Sequence, residues 1–388
     1  MSWGCIMASG KPRPAHFVSS PIYGQTGYPA NHPLAIPRIG AVEALGAALG
    51  WTGPAHPVLD SPMADRALLE RVHTPAYLDA LQRSEQAGRV SAEDRVIYNL
   101  GTLENPVFPG LWQRAATSVG GSVLAAQLAH QGAVAFHPAG GTHHGMPDRA
   151  HGFCYLNDPV FAILTLLDLG RARVLYVDLD AHHGDGVEAA YAADPRVMTI
   201  SLHEAGRWPF TGRLDGRGQG RARNFPVPRG LNDSELDRLM DAAILPIAQD
   251  FRPDAVVVTM GADALRGDPL SGLNLSNGAL WSAVERLALL APAAVVLGGG
   301  GYNPWTLARA WAGMWARLTG QVIPDPLPAQ AQAILAALDC DLVEPEDRDP
   351  AWFTRVRDAL NDGQVRPEIE AIIAAHRTRM VAEEVQDG

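Results

Sequence analysis

Side chains that bind metals or move protons, Asp178, Asp180, His182, His183 and Asp185, follow directly on the apolar run Val174-Leu-Tyr-Val. The β-branched and aromatic residues of that run read as a buried strand, so the polar cluster falls where a strand leaves its sheet. Open α/β sheets bind ligands at such carboxyl ends. Asp180 and His182 are two residues apart, which on extended backbone turns both side chains to one side and lets them share one ion. Two more apolar runs end in reactive residues: 254–260 leads into Gly-Ala-Asp263, and 293–297 leads into Gly298 to Gly301 and then Tyr302. Two Asp oxygens and one imidazole nitrogen make a donor set for Zn2+ or Fe2+ that leaves a position open for water. That is the arrangement of a catalytic ion rather than a structural one.

Taken singly, each of these residues has a plainer reading. An Asp after a strand caps the next helix, neighbouring histidines hydrogen-bond within a loop, Tyr302 packs as an aromatic, and a glycine run is a strand-to-loop turn. Their joint placement at three strand ends favours the metal site. The loop from Gly140 to Asp158 adds His143 and His144, adjacent imidazoles suited to carry protons, with Asp178 and Asp185 as the carboxylates that would hold them. His137, His143, His144, His151, His182, His183 and His203 all fall in one stretch, more than a core histidine requires. The glycines are not a dinucleotide fingerprint, because no GxGxxG opens a helix ahead of an acidic partner.

The elements that must position these residues alternate regularly. Helix 159–169 precedes strand 173–179, helix 186–193 precedes strand 197–202, helix 234–249 precedes strand 254–260, helix 277–290 precedes strand 293–297, and helix 304–318 closes the series. This predicts an α/β fold with a doubly wound, mainly parallel sheet flanked by helices and the site at the C-terminal ends of its strands. Upstream, residues 1–40 are rich in Pro, Gly and His, short helices are expected at 41–49, 65–71 and 75–84, a longer one at 111–131, and a strand at 134–136. The interval 204–232 is dense in Gly and Arg and is expected to be a long surface loop near the mouth of the site. A catalytic domain over 1–322 is followed by a helical extension over 323–388, with helices near 329–338 and 367–384. This extension packs on the domain or forms a contact between subunits of a homo-oligomer.

The chain has 388 residues, 47% of them hydrophobic, enough for a deep core. The formal charge of −11 argues against a partner with a phosphate backbone and suits a cationic substrate. No run is long enough to cross a membrane and the first residues lack the order of a signal peptide, so a cytoplasmic protein is expected. Cys5, Cys154 and Cys340 are far apart and form no CxxC pair, which leaves His and carboxylate as the metal donors.

In these motifs the sequence resembles the zinc-dependent histone deacetylase family of the arginase/deacetylase superfamily, in particular its bacterial acetoin-utilisation and deacetylase-like members, from about His32 to Trp315. Gly-Gly-Thr-His143-His144 with Gly-Phe153-Cys-Tyr-Leu-Asn, Asp178-Leu-Asp180-Ala-His182-His183-Gly-Asp185-Gly, Gly-Ala-Asp263 with Gly-Asp268-Pro, and Gly-Gly-Gly-Gly-Tyr302-Asn occur in the family's order. The resemblance implies a metal-dependent amidohydrolase that cleaves the amide of acetyl-lysine or a related acyl-lysine in proteins or peptides. Asp180, His182 and Asp263 would hold the metal, and His143 and His144, backed by Asp178 and Asp185, would be the proton-carrying pair. Tyr302 would polarise the scissile carbonyl while a histidine takes a proton from the attacking water and the amine leaves after protonation by His144 or its neighbour. It further implies a structural potassium ion at Asp178, Asp180, His182, Ser201 and Leu202, and a substrate channel along Gly152, Phe153, Trp208, Leu270, Glu104 and Gly300. Arg38 would lie by an inner acetate cavity.

Two departures from the family pattern fall at the mouth. Glu104 stands where a rim Asp usually grips the substrate backbone, making that grip longer or absent, and Pro-Phe-Thr-Gly after Trp208 replaces Pro-Gly-Thr-Gly. Three alternatives compete with the acyl-lysine reading. An acetylpolyamine amidohydrolase, acting on a small acetylated amine, would be expected to carry an acidic residue where this chain has Leu270. An arginase-like binuclear enzyme would need an SxDxD cluster where only Gly-Ala-Asp263 occurs. A non-catalytic acyl-lysine binding module would lack a ligand or the tyrosine, and neither is missing.

Overall fold

Ala255-Val-Val-Val-Thr259 and Ala293-Ala-Val-Val-Leu297 have no polar face before their last residue, and strands of that composition must be covered on both sides. The computed structural model, which describes residues 7–8, 11–25 and 27–387, shows how. Eight strands form one fully parallel sheet: β1 (Ala15–Ser19), β2 (Val58–Asp60), β3 (Val134–His137), β4 (Val174–Asp178), β5 (Val197–Glu204), β6 (Ala222–Val227), β7 (Ala255–Thr259) and β8 (Ala293–Leu297). Their order across the sheet is β2-β1-β3-β8-β7-β4-β5-β6.

Alternation along each strand serves two cores. Val256, Val258, Ala294 and Val296 pack into one with helices α1 (Ile39–Ala48), α6 (Asn277–Ala288) and α7 (Pro304–Leu318). Ala255, Val257, Ala293 and Val295 face the other, with α2 (Leu111–His130), α3 (Asp158–Asp168) and α4 (Asp185–Tyr191). The stretch predicted as one helix over 234–249 runs as Asp233–Leu239, a π-helical turn Met240–Ile244 and Leu245–Phe251, together α5. Helix starts are capped as their sequences suggest: Asn157 accepts from Val160 N ahead of α3, and Asn303 accepts from Trp305 N and Thr306 N ahead of α7.

The topology makes the site. After β3 the chain passes over two strand positions to β4, and β7 and β8 later fill them, so the order reverses in the middle of the sheet, where α/β folds open a crevice. The strand ends there are level. Asp178 is the register partner of Thr259, Thr259 of Leu297, and Leu297 of His137.

The interval 204–232 corrects the sequence expectation, because Ala222-Arg-Asn-Phe-Pro-Val227 is a buried edge strand paired to all of Thr199–Glu204. Its Arg, Asn and Pro hide the alternation, and Pro226 is tolerated because an edge strand has one unpaired side. Only 205–221 and 228–232 lie outside strands. β1, in the Pro-, Gly- and His-rich segment, and β2, between the helices expected at 41–49 and 65–71, are similarly too short to show a period.

Beyond α7 the chain returns to the same core through Leu327, Leu335, Trp352 and Ile369. Helix α8 (Ala329–Ala336) accepts the Trp305 indole N–H at Leu335 O, 2.9 Å, and the Arg366 guanidinium, which precedes α9 (Pro367–Asp387), pairs with buried Glu235 at the start of α5. No described helix is long and apolar enough to cross a membrane.

Candidate active site

The loop after β4 turns so tightly that its polar side chains bind its own backbone. Asp178 Oδ1 accepts from Asp180 N at 3.1 Å, and Asp180 Oδ1 accepts from His182 N at 2.9 Å. Asp263, on the turn after β7, reaches the same loop and accepts from Ala181 N at 3.1 Å, while Asp180 Oδ2 accepts from Gly300 N at 2.6 Å. His182 Nδ1 then lies 3.1 Å from Asp180 Oδ1 and 2.9 Å from Asp263 Oδ2. The three donors predicted to hold a metal therefore converge.

Both carboxylates are fully buried, and like charges at that depth are costly unless compensated. Burial opposes a charged imidazole, yet the hydrogen bonds and charges of Asp180 and Asp263 pull His182 up to about 10. Burial and the charge of Asp180 push Asp263 up to about 6. A cluster that raises a base and an acid together is short of positive charge, which is the condition a divalent cation satisfies. Space is reserved as well: a Cβ at Gly300 would sit 2.1 Å from Asp263 Oδ2, and one at Gly261 would sit 2.3 Å from Asp180 Oδ2. The donor set and its glycine cradle fit a divalent cation of the zinc class, which the two carboxylates and the imidazole would hold.

His143 and His144 stand beside this cluster with ring centroids 3.9 Å apart. His143 Nδ1 donates to Asp178 Oδ2 and His144 Nδ1 to Asp185 Oδ1, each at 2.7 Å. Burial disfavours charge on His143, but Asp178 and Asp180 outweigh it and raise the ring to about 9. For His144, burial and the neighbouring His143 charge win over Asp185 and lower it to about 3. Burial raises Asp185, and the His144 and His151 imidazoles hold it below the usual carboxylate range.

Tyr302 follows the glycine run, and its backbone N–H donates to Asp268 Oδ2 at 2.7 Å while Asp268 Oδ1 accepts from Leu270 N at 2.9 Å. Burial pushes the Tyr302 hydroxyl well above its ordinary range, keeping it a donor. Above the cluster, a cavity of about 550 Å³ is lined by Gly152, Phe153, His144, His182, Trp208, Leu270, Glu104 and Tyr302. Gly152 cannot be replaced there: its φ is +55° and a Cβ would meet the Trp208 ring at 2.3 Å. A smaller cavity of about 90 Å³ lies on the inner side, lined by Arg38, Gly141, Gly300 and Tyr302 among others, with Arg38 bound to Gly299 O.

Gly300 lines that inner cavity rather than the outer channel predicted for it, and its N–H donates to Asp180. Glu104 is at the mouth, but Oε1 accepts from Gly152 N at 2.6 Å and Oε2 from Asn99 Nδ2 at 3.1 Å, so its carboxylate braces the channel wall. Ser201 sits in register opposite Asp178, with Oγ 2.9 Å from His203 Nδ1. Leu202 gives its side chain to the core and can offer a cation only its carbonyl.

Sequence reasoning missed several supports. Tyr176 reads as a strand residue, yet its hydroxyl donates to Asp178 Oδ2 at 2.7 Å. Asp158 accepts from Gly141 N and Thr142 N at 3.0 and 2.7 Å and so holds the loop that carries the histidines. Glu204 pairs with Arg207, which donates to Leu270 O at 2.7 Å. Asp268 lay inside a quoted motif, but only its two backbone contacts reveal its work.

Comparison with known proteins points to one family. Residues 32–318 match the model of the histone deacetylase domain. Histone deacetylase 3 of Oryza sativa is 36% identical over 319 residues, covering 79% of this chain and 62% of that protein's length, so this chain spans under two thirds of it. The acetoin utilization protein AcuC of Bacillus subtilis is 37% identical over 274 residues, covering 66% of this chain and 70% of AcuC. The crystal structure of a histone deacetylase homolog from Aquifex aeolicus superposes with a TM-score of 0.88 at 35% identity, covering 94% of this chain and all of that one. A histone deacetylase homolog complexed with SAHA gives the same values.

Proposed function

This chain belongs to the histone deacetylase family, and from that premise we propose that it is a metal-dependent deacylase hydrolysing the amide of acetyl-lysine, or a related acyl-lysine, in peptides or proteins. The observation that carries the reading is the convergence of Asp180, His182 and Asp263 at the base of a channel whose wall includes Tyr302 and His144.

Asp180, His182 and Asp263 would hold the ion, Zn2+ or, in the cell, Fe2+. When bound, it supplies Lewis acidity to the amide carbonyl and acidifies water. The Phe153 and Trp208 rings take the aliphatic stem of the acyl-lysine and exclude water around it. Tyr302 donates a hydrogen bond from its hydroxyl to the carbonyl oxygen as negative charge develops there, and its position is held by Asp268 through the backbone. His144, neutral and oriented through Nδ1 by Asp185, accepts the proton of the attacking water at Nε2. His143, charged against Asp178, stabilises the tetrahedral oxyanion and gives its proton to the departing lysine nitrogen. The released carboxylate has Arg38 facing it across the inner cavity. A structural potassium ion at Asp178, Asp180, His182, Ser201 and Leu202 belongs to the same reading, as does a division into a catalytic domain over 1–322 and a helical extension. Leu270, apolar where a cationic polyamine would need an acid, favours peptide over acetylspermidine.

The test is Tyr302→Phe. Turnover of an acetyl-lysine peptide should fall by about 10²–10³ in kcat, as for loss of one oxyanion donor, while metal content measured on the same preparation stays at one ion per chain. Turnover equal to the parent enzyme would remove Tyr302 from the mechanism, and faster cleavage of acetylspermidine than of peptide would replace the substrate class.

A further inference from the structure

Asp185 is shared. Its Oδ1 accepts from His144 Nδ1 at 2.7 Å, a hydrogen-bond distance, whereas Oδ2 lies 3.4 Å from His151 Nδ1, a nitrogen shut off from solvent that makes no hydrogen bond of sound geometry. The three donor atoms lie within 4.8 Å of one another. Ligands about 2.0–2.1 Å from a tetrahedral ion stand about 3.3–3.4 Å apart, so the Asp185–His151 spacing is that of two atoms sharing a cation rather than a proton. Two imidazoles and a carboxylate are a zinc-type donor set. His151 and Asp185 also line a surface cavity of about 460 Å³, together with His183 and Glu188, that none of Asp180, His182 and Asp263 lines. The cavity opens on the His151 and Asp185 side of the cluster, away from the channel that His144 lines.

We propose that His144, Asp185 and His151 form a second, lower-affinity site for a divalent transition cation of the zinc type, and that its occupation silences the enzyme. Neutral His144 carries one proton, on Nδ1 against Asp185. An ion bound at Nδ1 moves that proton to Nε2, where the ring can no longer accept one from the attacking water. No proton is gained or lost by the ring. The inhibitory consequence rests on the role of His144 proposed above; the site itself rests only on the donor geometry.

The experiment is equilibrium dialysis of the one-zinc holoenzyme against rising Zn2+, with metal counted per chain and peptide deacetylation measured in the same samples. The parent protein should pass from one ion to two as activity disappears. His151→Ala should stay at one ion and need at least about tenfold more Zn2+ for the same inhibition, as for loss of a metal partner, and His151→Asp, which restores an oxygen donor, should recover much of the second uptake. Retention of the first zinc by each variant reports that it is folded, and His151→Gln serves if the alanine variant does not retain it. Tyr302→Phe should still take up the second ion, so a failure of the deacylase reading leaves the metal count standing. A parent protein that is inhibited while holding one ion, or a second ion bound equally by parent and His151 variants, overturns the proposal.

Discussion

At the floor of the site, Asp178, Asp180 and Asp263 are fully buried, and each is held by strand-end backbone N–H groups or by an imidazole. At the mouth, Glu104 and Glu204 are held at similar distances, but by loops: Glu104 binds Gly152 N and Asn99, and Glu204 binds Arg207 and Gly272 N. The floor inherits its geometry from the register of four parallel strands, whereas the mouth is assembled from the segments after residues 98, 151, 204 and 265, whose only agreement is the contacts they make with one another. Chemistry set by the register resists change in the loops. Selectivity set by loops changes when a brace is cut.

The largest effect should come from breaking the floor. Asp263→Ala, or treatment of the parent with a chelator, should lower kcat/KM for an acetyl-lysine peptide by about 10³ or more, and zinc should restore the chelated parent but not the variant. Activity above about a tenth of the parent in metal-free protein would show that the floor works without an ion.

A smaller effect should separate the two imidazoles within the floor. His143 is raised to about 9 and so keeps its proton at neutral pH, losing it as the pH rises; His144 is lowered to about 3 and stays neutral throughout that window. A bound cation near Asp180 lowers His143 from that value, so the basic limb of the kcat/KM profile should fall at or below pH 9. Asp178→Asn removes the largest raising influence and should move this limb to lower pH, with a loss at neutral pH of about 10²-fold. A limb that stays in place assigns it to another group.

Changes at the mouth should be milder and should act on discrimination. Leu270→Glu presents a carboxylate to a distal ammonium and should shift the acetylspermidine-to-peptide ratio of kcat/KM by about tenfold towards the polyamine. The smallest effect is expected from Glu204→Gln, which releases Arg207 and with it the hold on Leu270 O. KM should rise by about threefold with kcat nearly unchanged, since the contact is equal in ground and transition states. A matching fall in kcat would place this brace on the floor's side of the comparison.

The βα alternation from 159 to 318 was legible because β7 and β8 are nearly pure Val, Ala and Leu, β4 and β5 carry β-branched residues among their apolar ones, and the helices between them carry a period. β6 was not, because Arg223 and Asn224 break the apolar run and the burial of an edge strand depends on what covers it. The candidate metal donors were visible as residue types at strand ends. Tyr176 and Asp158 were not, since nothing in their local sequence distinguishes a structural polar group from one that braces the candidate site.

By itself the amino-acid order determined the fold class, the candidate donor set and the presence of paired imidazoles, because periodicity and the choice of Asp and His are local properties. Only the tertiary structure decided which carboxylate each imidazole meets, how their proton affinities diverge, that Glu104 is consumed by the channel wall, and that His151 reaches Asp185. Those outcomes depend on distances between segments far apart in the chain, and a hydrogen bond or a charge interaction is set by such distances and by the burial around them.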